Sequence, residues 1–220
     1  MAIDSYTTLQ AAVANWLERG DLSLRIPEFI ALAEAQMNRK LRVQRMIQRE
    51  TASISTTNAF SAVPSNFLRA ISFQLTDGSS HWDVEPMNIE RISQAQSNGI
   101  TPATPLYYAI NGTSSGREFQ FYPSPDKTYT ATLTYWGKPT PLSETNASNW
   151  ILEEAPDLYL YGTLLQAAPY LRDDGAITIW QSGFDAVMND VMTMDRTQVG
   201  SLRTEVAMMQ RPQRFNINQG

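Results

Sequence analysis

Residues 26–50 read IPEFIALAEAQMNRKLRVQRMIQRE. At about 100° per residue, Ile26, Phe29, Ile30, Ala33, Met37 and Leu41 share one helix face, while Arg39, Arg42, Arg45 and Arg49 fall on the other. Pro27 and Glu28 occupy the first turn and the basic residues gather towards the end, the order that the helix macrodipole favours. The apolar face is for burial. The basic face serves either the dipole and solubility, or contact with a sister subunit or a partner.

Upstream, Tyr6, Leu9, Val13, Trp16 and Leu17 recur at helical spacing, with Asp4 and Ser5 placed to cap them and Gly20 and Asp21 to end them. From about residue 50 to 137 the period changes, and Ser, Thr and aromatic residues alternate between turn signals. The expected strands are Thr51–Ser55, Phe67–Thr76, Trp82–Glu85, Leu106–Asn111, Glu118–Tyr122 and Thr128–Trp136. Asn111-Gly112, prolonged by Thr113 to Gly116, marks a hairpin, and Pro123 to Asp126 turns the chain into the last strand. Met87, Ile89, Ile92 and Ala95 predict a short helix between strands.

After a loop from Lys138 to Asn149 the helical period returns. Glu153, Glu154, Pro156 and Asp157 read as a first turn, followed on one face by Leu158, Tyr161, Leu165 and Ala168, with Pro169 bending or ending the helix. Beyond Asp173-Asp174-Gly175, the positions Ile177, Trp180, Phe184, Val187, Val191 and Met194 step by three and four, as on the packed face of a bundle. Periodicity fades from Thr197. The expected fold is α+β: a helical bundle from 1–50 and 150–196, a β-rich insertion over 51–149, and an extended C-terminal tail over 197–220. The apolar face of the second helix is expected to pack around Leu158, Leu165, Trp180 and Phe184.

Chemistry is harder to find. The 220 residues include no cysteine, which removes disulfides, thiolate nucleophiles and cysteine metal sites. One histidine, His81, cannot build a multi-histidine metal site, and it reads as an ordinary strand or turn residue. No glycine cluster can cradle phosphate, no G-x-S-x-G elbow presents a serine, and Asp126, Asp173 and Asp174 lack calcium-loop spacing. No cofactor is expected. The N-terminus lacks a basic segment leading into an apolar run, and no stretch approaches the ~18 apolar residues of a membrane span, so a soluble, unexported chain without membrane contact is expected.

A net charge of −5 is the wrong sign for broad phosphate gripping. A nucleic-acid-binding module would have to use the aromatics Tyr107, Tyr108, Phe119, Phe121, Tyr122, Tyr129, Tyr135 and Trp136 as a stacking platform, although strand cores use the same residues. A hydrolase would have to use Glu153, Glu154 and Asp157, the best available acids, across a sugar. Residues Arg203, Arg211 and Arg214, with Phe215, lie in a Pro- and Asn/Gln-containing ending that could order on a neighbour.

Three segments in order carry a resemblance: TTLQAAVANWLERGDLSLRIPEFIALAEAQMNRKLR (7–42), FQFYPSPDKTYTATLTYW (119–136) and NWILEEAPDLYLYGTLLQAAPYLRDD (149–174). Together they resemble the head-to-tail adaptor, or connector, proteins of short-tailed bacteriophages, similar in role to tail tubular A proteins. The resemblance implies a structural virion protein of the neck, assembled in the host cytoplasm as a ring, dodecameric by analogy. It also implies docking beneath the portal, a surface for the tail nozzle and fibres, and a conduit through which DNA passes without sequence-specific binding. Some such adaptors have been credited with peptidoglycan hydrolysis, but no family catalytic motif maps onto residues here, and no enzymatic activity is expected. A ring closes through heterologous contacts, which complementary basic and acidic patches could supply. The interface residues expected are Arg39, Arg42, Arg45 and Arg49, together with Arg211, Arg214 and Phe215.

Overall fold

Ser5 starts the first helix, α1 (Tyr6–Leu17), from an extended backbone. Its hydroxyl accepts from the Thr8 N–H at 3.3 Å while Thr8 Oγ1 accepts from the Ser5 N–H at 2.9 Å, a reciprocal cap. Leu9 and Val13 are then fully buried. The computed structural model describes residues 2–97, 99, 101–114, 116–171 and 174–209, and at 174, 176 and 196–209 the backbone alone.

Helix α2 (Ile26–Lys40) buries the expected stripe Ile26, Phe29, Ile30, Ala33 and Met37, but it is shorter than residues 26–50 suggest. Leu41 leaves the helical region at φ −74°, ψ 129°. Leu41 and Val43 are both buried, and side chains two apart reach one side only when the backbone is extended. Arg42 therefore lies beyond the helix, Arg45 in a single 3-10 turn (Gln44–Met46), and Arg49 on a strand. The single basic helix face is corrected on this point.

Two compact units divide the chain: residues 1–44 with 139–220, and residues 45–138. The second unit is two four-stranded sheets. One has the order β1-β8-β3-β4, from β1 (Ile47–Ile54), β3 (Phe67–Thr76), β4 (His81–Asp83) and β8 (Tyr129–Gly137), all antiparallel. The other has the order β2-β7-β6-β5, from β2 (Phe60–Ala62), β5 (Glu85–Pro86), β6 (Tyr107–Thr113) and β7 (Gly116–Tyr122). Helix α3 (Ile89–Ser97) forms where the Met87–Ala95 pattern predicts it and buries Ile92.

The two sheets share one aromatic core. Phe73 on β3 meets Phe119 and Phe121 on β7 and Tyr108 on β6, with ring centroids 5.1–5.2 Å apart, nearly edge to face. Tyr108, Phe119, Phe121, Tyr129 and Tyr135 are buried, so they pack the sandwich and offer no platform for stacking bases. The expected strand Trp82–Glu85 is two strands in different sheets, separated by buried Val84, whose N–H donates to the Phe73 carbonyl at 2.8 Å. Strand β2 is absent from the sequence reading because three residues carry too little period to register. Asn111 and Gly112 belong to β6, and the hairpin turns one step later, where Gly116 adopts φ +141°.

In the first unit, Glu153 and Glu154 do not open the long helix. Asn149 caps a separate helix α4 (Trp150–Glu154) by accepting the Leu152 N–H at 3.1 Å. Ala155 then leaves the helical region, as a residue before proline is pressed to do, and α5 (Pro156–Leu171) begins. Helix α5 touches α1, α2, α4 and α6 (Asp174–Met209), so it buries more than a stripe: Leu158, Tyr159, Leu160, Gly162, Thr163, Leu164, Ala167 and Ala168. Tyr161 and Leu165, expected on its packed face, are only half-buried. Pro169 sits inside α5 near its end without stopping it.

Two glycines set the approach of α5 to α6. A Cβ on Gly162 would lie 3.0 Å from Phe184 Cε2 and 3.3 Å from Ala33 Cβ, and one on Gly183 would meet the Tyr161 ring at 3.1 Å. Each helix thus inserts an aromatic ring over the other's glycine. Helix α6 runs to Met209, so residues 197–209 are helical rather than extended. Good helix formers such as Gln198, Leu202, Arg203, Glu205 and Ala207, with no proline before Pro212, favour that continuation without a regular apolar stripe.

Candidate assembly surface

The four arginines divide between the two units. Arg39 is exposed in the last turn of α2, where its charge complements the helix dipole. Beside it, Lys40 pairs with Asp185 on α6 at 3.4 Å and lies 5.8 Å from the centroid of the Phe184 ring. Arg42 is half-buried and donates from Nη1 to the Asn38 carbonyl at 2.8 Å and to the Leu41 carbonyl, satisfying acceptors that the end of α2 leaves open. Arg42 is thus a helix-end fastener before it is a contact residue. Arg45 and Arg49 are exposed in the β unit. Arg211, Arg214 and Phe215 lie outside the described residues.

The acidic residues stay together at the junction of α4 and α5. Glu153 is exposed and accepts from Ser148 Oγ at 3.1 Å, Glu154 is exposed, and Asp157 is exposed and accepts the Leu158 N–H at 3.0 Å. All three face solvent at helix ends. His81 is exposed on β4, opposite Thr76. Among the described residues no three histidine or acidic side chains gather as a metal site would require, and no helix is long and apolar enough to cross a membrane.

The most organised polar group is one the sequence reading passed over. Glu34, on the apolar side of α2 between Ala33 and Met37, accepts the Leu142 N–H at 2.7 Å and the Tyr159 hydroxyl at 2.9 Å through one oxygen. Asn149 Nδ2 donates to the Tyr159 oxygen at 2.7 Å and to the Thr140 carbonyl at 2.9 Å. The set fastens the 139–149 segment to α2 and α5. Glu34 and Tyr159, with Met37, Asn38, Pro139 and Ile151, line a small cavity. A carboxylate inside an apolar stripe was the available signal.

Burial raises the Glu34 carboxyl above its ordinary value, although its two hydrogen bonds pull the other way. Burial, then the neighbouring Glu34 charge, also raises the Tyr159 hydroxyl. Because the folded Glu34 holds its proton to higher pH than the unfolded chain does, its contribution is present in full below the ordinary carboxylate range. That contribution is lost as pH rises through the raised value. Denaturant midpoints measured from about pH 4 to 7 should therefore show a falling component that Glu34→Gln removes; equal slopes for both proteins would contradict this assignment.

The sequence pattern of the SU10 adaptor protein family matches residues 4–208, spanning both units and every described interface candidate. The chain belongs to this family. It is a structural adaptor of a phage, a virion component that meets other head and tail proteins, as the resemblance in the three segments implies. No curated protein matches the chain. Within the adaptor, charge is unequally shared: seven basic and seven acidic residues fall in the β unit, so the full net charge of −5 belongs to the helical unit.

Proposed function

We propose that the adaptor forms a closed ring of identical subunits, dodecameric by family analogy, that docks beneath the portal, receives the tail nozzle and fibres, and forms part of the DNA conduit. The observation that carries this reading is the family match over both units. Physical support comes from the surfaces. Arg39 exposes positive charge at one helix end, and Glu153, Glu154 and Asp157 expose negative charge at others, which gives neighbours in a ring unlike patches to oppose. A net acidic helical unit offers few fixed cations to trap a passing duplex. The segment holding Arg211, Arg214 and Phe215 docks on the portal or a neighbour in the same reading.

Negative-stain microscopy of the adaptor mixed with portal tests it. Rings seated on the portal are expected, and free monomers beside bare portals would overturn the proposal. Reversing Arg39 and Arg45 together to Glu should weaken assembly by about tenfold or more, since like charges would face each other across the contact. Circular dichroism should stay unchanged, because both side chains are exposed. Assembly at the parent level would remove these two arginines from the interface.

A further inference from the structure

The two sheets of the β unit leave four edge strands, of which β1 differs from the rest. Strand β2 has three residues, β4 three and β5 two, and Pro86 in β5 has no N–H to offer. Strand β1 has eight residues, Ile47–Ile54, which among the described residues pair with β8 on one side only. It contains no proline or glycine to interrupt its row, and its charges are Arg49 and Glu50. A long strand with one free row of N–H and C=O groups is a template for another strand.

Which strand it takes follows from direction, face and charge. Within the sheet β1 is antiparallel to β8, β8 to β3, and β3 to β4, so β4 at the far edge runs opposite to β1. A second copy can therefore lay its β4 against β1 and continue the same antiparallel sheet. Gln48, whose side-chain oxygen lies 3.1 Å from the Tyr135 hydroxyl, and buried Ile54 mark the sandwich face of β1, with Glu50 exposed at its rim; Arg49 and Thr51 point the other way. Trp82 also points inward, onto Tyr129 at 5.6 Å, so His81 and Asp83 point outward. Both Arg49 and Asp83 are exposed, on matching faces of opposite edges. Cross-strand partners share a face, and opposite charges directly across an antiparallel pair stabilise it.

We propose that β1 of one subunit pairs antiparallel with β4 of the next, with Arg49 opposite Asp83, so that the sheet runs on from subunit to subunit. The contact joins unlike edges, as ring closure needs, whereas two β1 strands pairing about a twofold axis would close as a dimer and set like residues against like. This inference rests on the ring reading above and gives Arg49 its partner.

Cysteine cross-linking tests it, because the parent chain has no cysteine to interfere. Within one subunit positions 49 and 83 are separated by three strand spacings, about 14 Å, too far for a disulfide. Arg49→Cys with Asp83→Cys, oxidised after assembly on the portal, should give a ladder of multimers on a non-reducing gel, and Arg49→Cys alone should give none. In parallel, Arg49→Glu and Asp83→Arg should each abolish rings, and the two combined should restore them. Parent rings with no ladder, dimers from Arg49→Cys alone, or a swapped pair that fails to restore assembly would each overturn the pairing while leaving the ring intact. Absence of rings from the parent itself would overturn the ring reading, and this inference with it.

Discussion

Phe184→Ala is expected to lower the stability of the helical unit by about 3–5 kcal/mol, the usual cost of truncating a buried phenylalanine. Phe184 is fully buried, and its ring is seated over Gly162 at 3.0 Å from the position a Cβ would take. The lost ring would leave a hole that Gly162 has no side chain to fill. The same ring faces the Lys40 ammonium, so its removal also strips one partner from the residue that ties α2 to Asp185. Urea unfolding followed by tryptophan fluorescence would check this, since Trp180 is buried one turn away on α6. A loss below about 1 kcal/mol, small against core-truncation costs, would mean that α6 is not held to α5 through this ring.

Phe119→Ala should have a comparable effect on the β unit, again about 3–5 kcal/mol. Phe119 is buried between the sheets and meets Phe67, Phe73 and Tyr108 at centroid distances of 5.6, 5.1 and 5.7 Å. Those pairs add edge-to-face terms of about 0.5–1.5 kcal/mol each beyond burial, though not additively. Limited proteolysis separates the two variants. Cleavage should begin within residues 45–138 for Phe119→Ala and within the helical unit for Phe184→Ala. The opposite pattern would contradict the assignment of these rings to separate cores.

The helical and β-rich segments were legible because their periods are local. Tyr6 to Leu17 carry a 3.6-residue repeat with a capping serine, and Phe67 to Thr76 emerge as a strand with the expected bounds. Helix α2 was legible at its start, where Pro27 and Glu28 are N-terminal signals, and illegible at its end. Arginines at 39, 42, 45 and 49 keep a helical spacing by accident of position. Burial of Leu41, Val43 and Met46 overrides it. Local propensity yields to tertiary packing in such cases.

The proposed assembly surface follows the same division. Its residue types were visible, as arginines at 39, 42, 45 and 49 and acids at 153, 154 and 157. Their placement was not, because Arg42 proved to be a helix-end fastener and Arg45 and Arg49 belong to the β unit. Glu34 was passed over for the complementary reason, since its partners Leu142 and Tyr159 are more than a hundred residues away in the chain.

By itself, then, the sequence determined the class of this protein: an α+β chain whose ordered segments mark a phage adaptor. Periodicity, capping and composition act over a few residues, and those are written along the chain. Only the tertiary structure decided where α2 stops, that Trp82 and Glu85 serve different sheets, that Gly162 and Gly183 receive aromatic rings, and that β1 lies at the edge of its sheet. Each of those depends on contacts between residues far apart in sequence, where the free energy of burial outweighs local preference.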